Sequence, residues 1–126
     1  MKKIIHTDKA PAPIGPYSQG VQFGKMLYTS GQIAINPATG ELETEDITRE
    51  TTLVMENLRE ILKAAGMNFE HVLKASIFVS DMHNFEAINK VYATYFNQAI
   101  APARETVEVA NLPKFVNVEI SVIASL

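Results

Sequence analysis

Pro102-Ala103-Arg104-Glu105-Thr106-Val107-Glu108-Val109, then Asn111-Leu112-Pro113-Lys114, then Val116 to Ala124, is the stretch on which the fold turns. Arg104, Thr106 and Glu108 alternate with Glu105, Val107 and Val109. Further on, Val116, Val118, Ile120, Val122 and Ala124 alternate with Asn117, Glu119 and Ser121. A period of two over both runs predicts two strands. Paired as a hairpin about Asn111–Lys114 in a symmetric register, they set Thr106 opposite Glu119, with Arg104 one pair further along. A guanidinium and a carboxylate then share a face, with a hydroxyl between them. A guanidinium fork grips a small carboxylate, and a nearby carboxylate positions or deprotonates a water. The plainer alternative is a solvated face on which Glu105, Glu108 and Glu119 offset Arg104 across strands. From these residues alone that alternative is the simpler one. A one-residue slip would also carry Glu119 to the other face.

The chain of 126 residues suits a single domain, 1–126, and 47% hydrophobic content is enough to build its core. A net charge of -3, with cations scattered along the chain, argues against a sequence-independent grip on nucleic acid. Cysteine is absent, which excludes disulfides, thiolate nucleophiles and thiolate metal sites. The basic start Met1-Lys2-Lys3-Ile4-Ile5-His6 has no apolar run long enough for a signal peptide. No segment reaches transmembrane length. A soluble cytoplasmic protein is expected.

Upstream, Lys3–Thr7 reads as a short strand. Three prolines between Ala10 and Tyr17 fix φ and remove donors, so that segment is a stiff extended loop. Val21–Phe23 and Met26–Ser30 flank Gly24-Lys25, a two-residue hairpin turn. Gln32–Ile35 continues the second strand after a kink at Gly31, and Asn36–Gly40 is a turn cluster. Asp46 caps a helix whose inner stripe is Val54, Leu58, Ile61, Leu62 and Ala65, with Gly66 as its stop. Glu50, Glu56, Arg59, Glu60 and Lys63 are expected on its outer side. Val72–Val79 is a strand. Asn84 caps a second helix with the stripe Phe85, Ile88, Val91, Tyr92, Tyr95, Phe96 and Ala99.

Strand, hairpin, helix, strand, helix, strand, strand implies a mixed sheet with some parallel pairing. Each helix has one apolar stripe, so both cover the same face. The other face, carrying apolar strand residues, needs covering by further copies of the chain.

His6, His71 and His83 lack metal-pair spacing and have no cysteine to help, so no metal is expected. Gly15-Pro16-Tyr17-Ser18-Gln19-Gly20 carries a proline and a tyrosine that disfavour phosphate cradling. Ser30-Gly31 lacks the flanking glycine of a nucleophile elbow.

Ile14-Gly15-Pro16-Tyr17-Ser18-Gln19-Gly20, Thr29-Ser30-Gly31-Gln32-Ile33, Ala65-Gly66, Phe78-Val79 and Pro102-Ala103-Arg104 with Val107-Glu108-Val109 and Leu112-Pro113 resemble the Rid family of enamine/imine deaminases. This is also known as the YjgF or liver perchloric-acid-soluble-protein type. Arg104 and its Pro102-Ala103 lead-in resemble the RidA subgroup. The resemblance implies a chorismate-mutase-like α+β fold, a mixed β-sheet with two helices packed on one face. It also implies a homotrimer with a barrel-like centre and active sites between subunits. The activity implied is hydrolysis of 2-aminoacrylate, 2-aminocrotonate and related 2-imino acids to 2-oxo acids and ammonia, without a cofactor. By the same resemblance Arg104 holds the substrate carboxylate and Glu119 the attacking water. Tyr17, Ser30, Gly31, Asn89 and the main chain of Thr106 line the site. Read without it, Tyr17 is a loop-packing residue, Ser30 a turn hydroxyl and Asn89 a solvent-facing helical amide. Thr106 departs from the many relatives that carry cysteine there.

Two readings of other classes stand beside the deaminase. One is a non-catalytic regulatory trimer, acting in purine or translation control or as a chaperone. The other, a chorismate mutase, rests on fold analogy alone.

Overall fold

A computed structural model describes residues 1–126. Its strands and helices are β1 (Lys3–Ile5), β2 (Gly20–Phe23), β3 (Met26–Thr29), α1 (Ile47–Ala64), β4 (Val72–Val79), α2 (Phe85–Ala93), β5 (Ala103–Glu108) and β6 (Val118–Ser125). They form one mixed six-stranded sheet in the order β1-β2-β3-β6-β4-β5, with the two helices on one face. Only β4 and β5 run parallel. Gly24 takes φ 58° in the β2–β3 turn, a conformation that costs glycine nothing.

The expected β5–β6 hairpin does not form: β4 lies between the two strands. The burial of β6 explains this. Val118, Ile120, Val122 and Ala124 are all buried, so this strand belongs in the middle of the sheet, where both edges are paired. β5 carries Arg104, Glu105 and Glu108 and takes the edge, where charged strands are tolerated. The connection between them buries Leu112 and Val116 against Ile33 as a small second core, so it swings away from hairpin geometry.

Register then assigns the faces. Ile77 of β4 is aligned with Thr106 and Ile120, and Ala75 with Arg104 and Val122. These residues share the helix-covered face. Phe78 is aligned with Val107 and Glu119, which share the other face. Arg104 and Glu119 therefore lie on opposite faces within one protomer, contrary to the hairpin expectation.

Asp46 caps α1 as expected, its side chain accepting from the Thr48 N–H at 2.9 Å. Val54, Met55, Leu58, Ile61 and Leu62 are fully buried against Leu27, Ile77 and Ile120. Each such side chain contributes about 1.5–3 kcal/mol by leaving water. Glu50 is a correction: it is not on the outer side but fully buried. α2 is shorter than its apolar stripe. It ends at Ala93, and Tyr95 and Phe96 reach the core from the following turns, both edge-on to Phe69. Asn84 precedes α2 with backbone angles already helical and makes no side-chain cap, because a 3₁₀ turn over Met82–Asn84 runs straight into the helix. Gln32–Ile35 is not a continuous strand; Gln32 bridges Ile120 and Ile35 bridges Leu42.

Along the uncovered face, register places Ile4 beside Val21, Val21 beside Tyr28, and Tyr28 beside Ile123. Tyr28 is 48% and Val107 42% exposed. This is the apolar surface that the two one-sided helices leave without cover.

Candidate active site

Glu119 projects from the central strand β6 into a cleft of about 400 Å³, lined also by Ile14, Tyr17, Ser30, Gly31 and Pro113. Gly31 is what lets it sit there. A Cβ on residue 31 would stand 2.6 Å from Glu119 Cδ and 2.7 Å from its Oε2, so only glycine admits the carboxylate this close to the chain. Burial pushes the Glu119 carboxyl above the usual carboxylate value, with no opposing hydrogen bond or charge. No cation pairs with it within the protomer. The result is a half-buried carboxylate with free lone pairs, poised to hold a water and exchange protons with it.

The cleft walls are fixed by buried amides. Gln19 accepts from the Thr7 N–H at 2.7 Å and donates to the carbonyls of Thr7 at 3.0 Å and Pro11 at 2.9 Å. That pins the proline-rich loop whose Pro11, Ala12 and Ile14 form one wall. Asn57, buried in α1, donates to the carbonyls of Ile33 at 3.3 Å and Ile35 at 3.1 Å, fixing the opposite wall. Ser30 Oγ donates to the Ser18 carbonyl at 2.6 Å, so its hydroxyl is engaged by the loop. The Tyr17 hydroxyl only accepts a long 3.4 Å bond from the Ile14 N–H and leaves its ring half-exposed at the cleft.

Arg104 stands on the other face, at the sheet edge. Its Nη1 donates to Asn89 Oδ1 at 2.6 Å, and the guanidinium lies 5.1 Å from the Tyr92 ring centre and 5.6 Å from that of Phe85. Cation–π attraction holds the fork in place. No carboxylate pairs with it. With five donors and one protein acceptor, it keeps N–H groups for an anion. It borders a hollow of about 550 Å³ with Asn89, Tyr92, Phe96 and Gln98. Burial pushes the Tyr92 phenol up, opposed by the Arg104 charge. Neither Tyr92 Oη nor Thr106 Oγ1 has a hydrogen-bond partner.

Of the residues expected at a site, the fold thus gathers Tyr17, Ser30, Gly31 and Glu119 in one cleft. It places Arg104 with Asn89 at another hollow, and Thr106 on the same face of β5 but outside that hollow's lining. His6 and His83 pair with Asp8 and Asp81, and His71 Nδ1 accepts from the Asn68 N–H. Sequence reasoning gave Gln19 and Asn57 no role and set Glu50 on the outer side of α1, although all three are buried. Asn57 carried a signal, since it falls on the apolar stripe three residues after Val54.

The family described as endoribonuclease L-PSP matches residues 7–126. The chain belongs to that family, the one that also holds the YjgF and Rid proteins. It is 45% identical over 124 residues to the mouse 2-iminobutanoate/2-iminopropanoate deaminase, covering 98% of this chain and 91% of the mouse protein. A RutC family protein of Pyrococcus horikoshii is 48% identical, with 98% of each chain covered. Among solved structures, E. coli TdcF with bound serine superposes with a TM-score of 0.92 at 44% identity, covering 98% of both chains. RidA from the Antarctic bacterium Psychrobacter gives a TM-score of 0.94 at 39% identity, covering 98% of this chain and 99% of that one.

Proposed function

We propose that the chain is a hydrolytic deaminase of 2-imino and 2-enamino acids, releasing 2-oxo acids and ammonia at junctions between protomers of a homotrimer. One observation carries the reading. Each protomer holds a half-buried carboxylate with no cation and, on the opposite face, a guanidinium with no acid. Packing the open apolar face of one copy against the edge strand β5 of the next brings the two halves of a site together. The mouse relative's named activity supports the chemistry. So does the serine bound to E. coli TdcF, a molecule with a carboxylate beside a nitrogen-bearing carbon.

Arg104 and Asn89 of one protomer hold the substrate carboxylate, a charge-assisted contact worth about 1.5–3 kcal/mol. Glu119 of the neighbour holds a water above the iminium carbon. Water adds to C2 of R–C(=NH2⁺)–COO⁻, and Glu119 takes the released proton. The same proton then passes to the nitrogen of the carbinolamine. Ammonia leaves as the hydroxyl oxygen closes to the carbonyl, and its remaining proton makes ammonium. A carboxyl with a raised pKa suits both transfers. The imine hydrolyses in water unaided, so positioning supplies most of the acceleration. Tyr17 walls the cleft, and the main chain about Ser30, Gly31 and Thr106 completes it. An action on RNA, suggested by the family's description, finds no basic stripe in a chain of net charge -3.

The test couples the purified protein to a threonine dehydratase and follows 2-oxobutanoate. Wild type accelerates its release, and Arg104→Ala and Glu119→Gln do not. Unfolding and refolding the two inactive variants together restores activity, since mixed trimers contain junctions with both intact halves. No acceleration by wild type removes the deaminase, and no recovery on mixing removes the shared site.

A further inference from the structure

Glu50 sits in the first turn of α1, far in sequence from Glu119, and is fully buried. A buried carboxylate is costly unless its lone pairs are met. Both oxygens meet the same residue. Oε2 accepts from the Asn117 backbone N–H and Oε1 from the Asn117 side-chain Nδ2, each at 2.8 Å. No cation pairs with Glu50. Asn117 is the residue from which the chain enters β6, two positions before Glu119, and its carbonyl accepts from the Ser80 N–H at 3.1 Å.

The approach to that point is strained. Lys114 and Phe115 are consecutive non-glycine residues at φ 54° and 56°, in the left-handed region. A strained turn relaxes if the chain beyond it is free to shift. The two-pronged grip at Asn117 prevents this, fixing where β6 begins and therefore where the Glu119 carboxylate lies against Gly31. On the Gly31 side Glu119 is already close, within 3 Å of the space a Cβ would fill.

We propose that Glu50 is a positioning residue for Glu119: through Asn117 it holds the start of β6 so that the Glu119 carboxylate meets the attacking water. This rests on the deaminase reading. Glu50 touches no substrate and exchanges no proton with it.

The test is Glu50→Gln, which keeps the shape but turns an NH2 toward one of the two Asn117 donors. Four quantities are read: urea stability, kcat and KM in the coupled assay, and the titration midpoint of Glu119 by 13C NMR. The expected result is a folded protein whose kcat falls about 10- to 100-fold, as a small misplacement of a catalytic group does. KM stays unchanged, because Arg104 holds the substrate carboxylate. The Glu119 midpoint moves toward the ordinary carboxylate value as the side chain loosens into solvent. A merely structural role lowers stability without moving the midpoint. That result overturns the proposal, as does unchanged kcat. If Glu50→Gln does not fold, Asn117→Ala removes the side-chain prong and keeps the backbone one, and the same readouts shift in the same direction or refute the idea. The NMR midpoint is independent of turnover. A shifted midpoint in a protein without deaminase activity would retire the reaction and leave the positioning role standing.

Discussion

Gly31→Ala tests the site with the smallest possible change. The added methyl's three nearest neighbours are all Glu119 side-chain atoms, 2.6 Å to Cδ, 2.7 Å to Oε2 and 2.9 Å to Cγ. Glu119 must therefore retreat by roughly 0.8 Å or more to reach ordinary contact, and the cleft gives it room to rotate. The fold has little reason to suffer. Alanine in place of glycine stabilises by about 0.4–1 kcal/mol through the unfolded state, and an off-rotamer Glu119 costs about 0.5–1.5 kcal/mol, so the two nearly cancel. Chemistry has no such compensation, because misplacing a catalytic group by about 1 Å costs on the order of 10²-fold. Urea unfolding and the coupled 2-oxobutanoate assay should show wild-type stability with kcat down about 100-fold. Gly20→Ala is the contrast: its methyl would press on Ile61, Leu27 and Ile5 in the core at 3.3–3.4 Å, lowering stability and sparing turnover. Full kcat in Gly31→Ala would refute the placement of Glu119 as the water-holding group.

Arg104→Lys keeps the charge but loses the fork, and KM for the imino acid should rise about 10- to 100-fold in the same assay. Glu119→Gln should be more stable than wild type at pH 7. Burial raises the Glu119 carboxyl above 4.5, so the folded state binds its proton more tightly than the unfolded chain. That contribution is fully present below the unfolded value and lost as pH rises through the folded one. The variant's advantage in thermal melts should therefore shrink on acidification toward pH 4, and an advantage independent of pH would contradict the assignment. Leu58→Ala empties a fully buried site in α1 and should cost about 2–5 kcal/mol in urea unfolding.

Local chemistry was legible from the chain where one residue decides it. Asp46 as cap, Gly24-Lys25 as turn and the alternation of Val118, Ile120, Val122 and Ala124 were each read from side-chain type and spacing alone. Strand order was not. Nothing in the run from Pro102 to Ala124 says that β4 will slip between β5 and β6, because that choice depends on total burial across the sheet rather than on either strand. The membership of the site followed the same division. Motif resemblance named Arg104, Glu119, Tyr17, Ser30 and Gly31, but only the register separates them onto two faces. Glu50 escaped because a carboxylate near a helix start reads as a solvated, dipole-favoured charge; its burial is set by Asn117, which lies 67 residues away.

The position of β6 also bears on how the molecule is made. β1, β2 and β3 emerge from the ribosome as one ribbon, and β4 and β5 as another, with no hydrogen bonds joining them. β6, last to be synthesised, is the keystone: it pairs with β3 on one side and β4 on the other. Closure is thus a late, long-range event, and such pairings are slow to find. Until it happens two unpaired edges stand open to other chains, which makes the interval before β6 joins the sheet the most hazardous in its assembly.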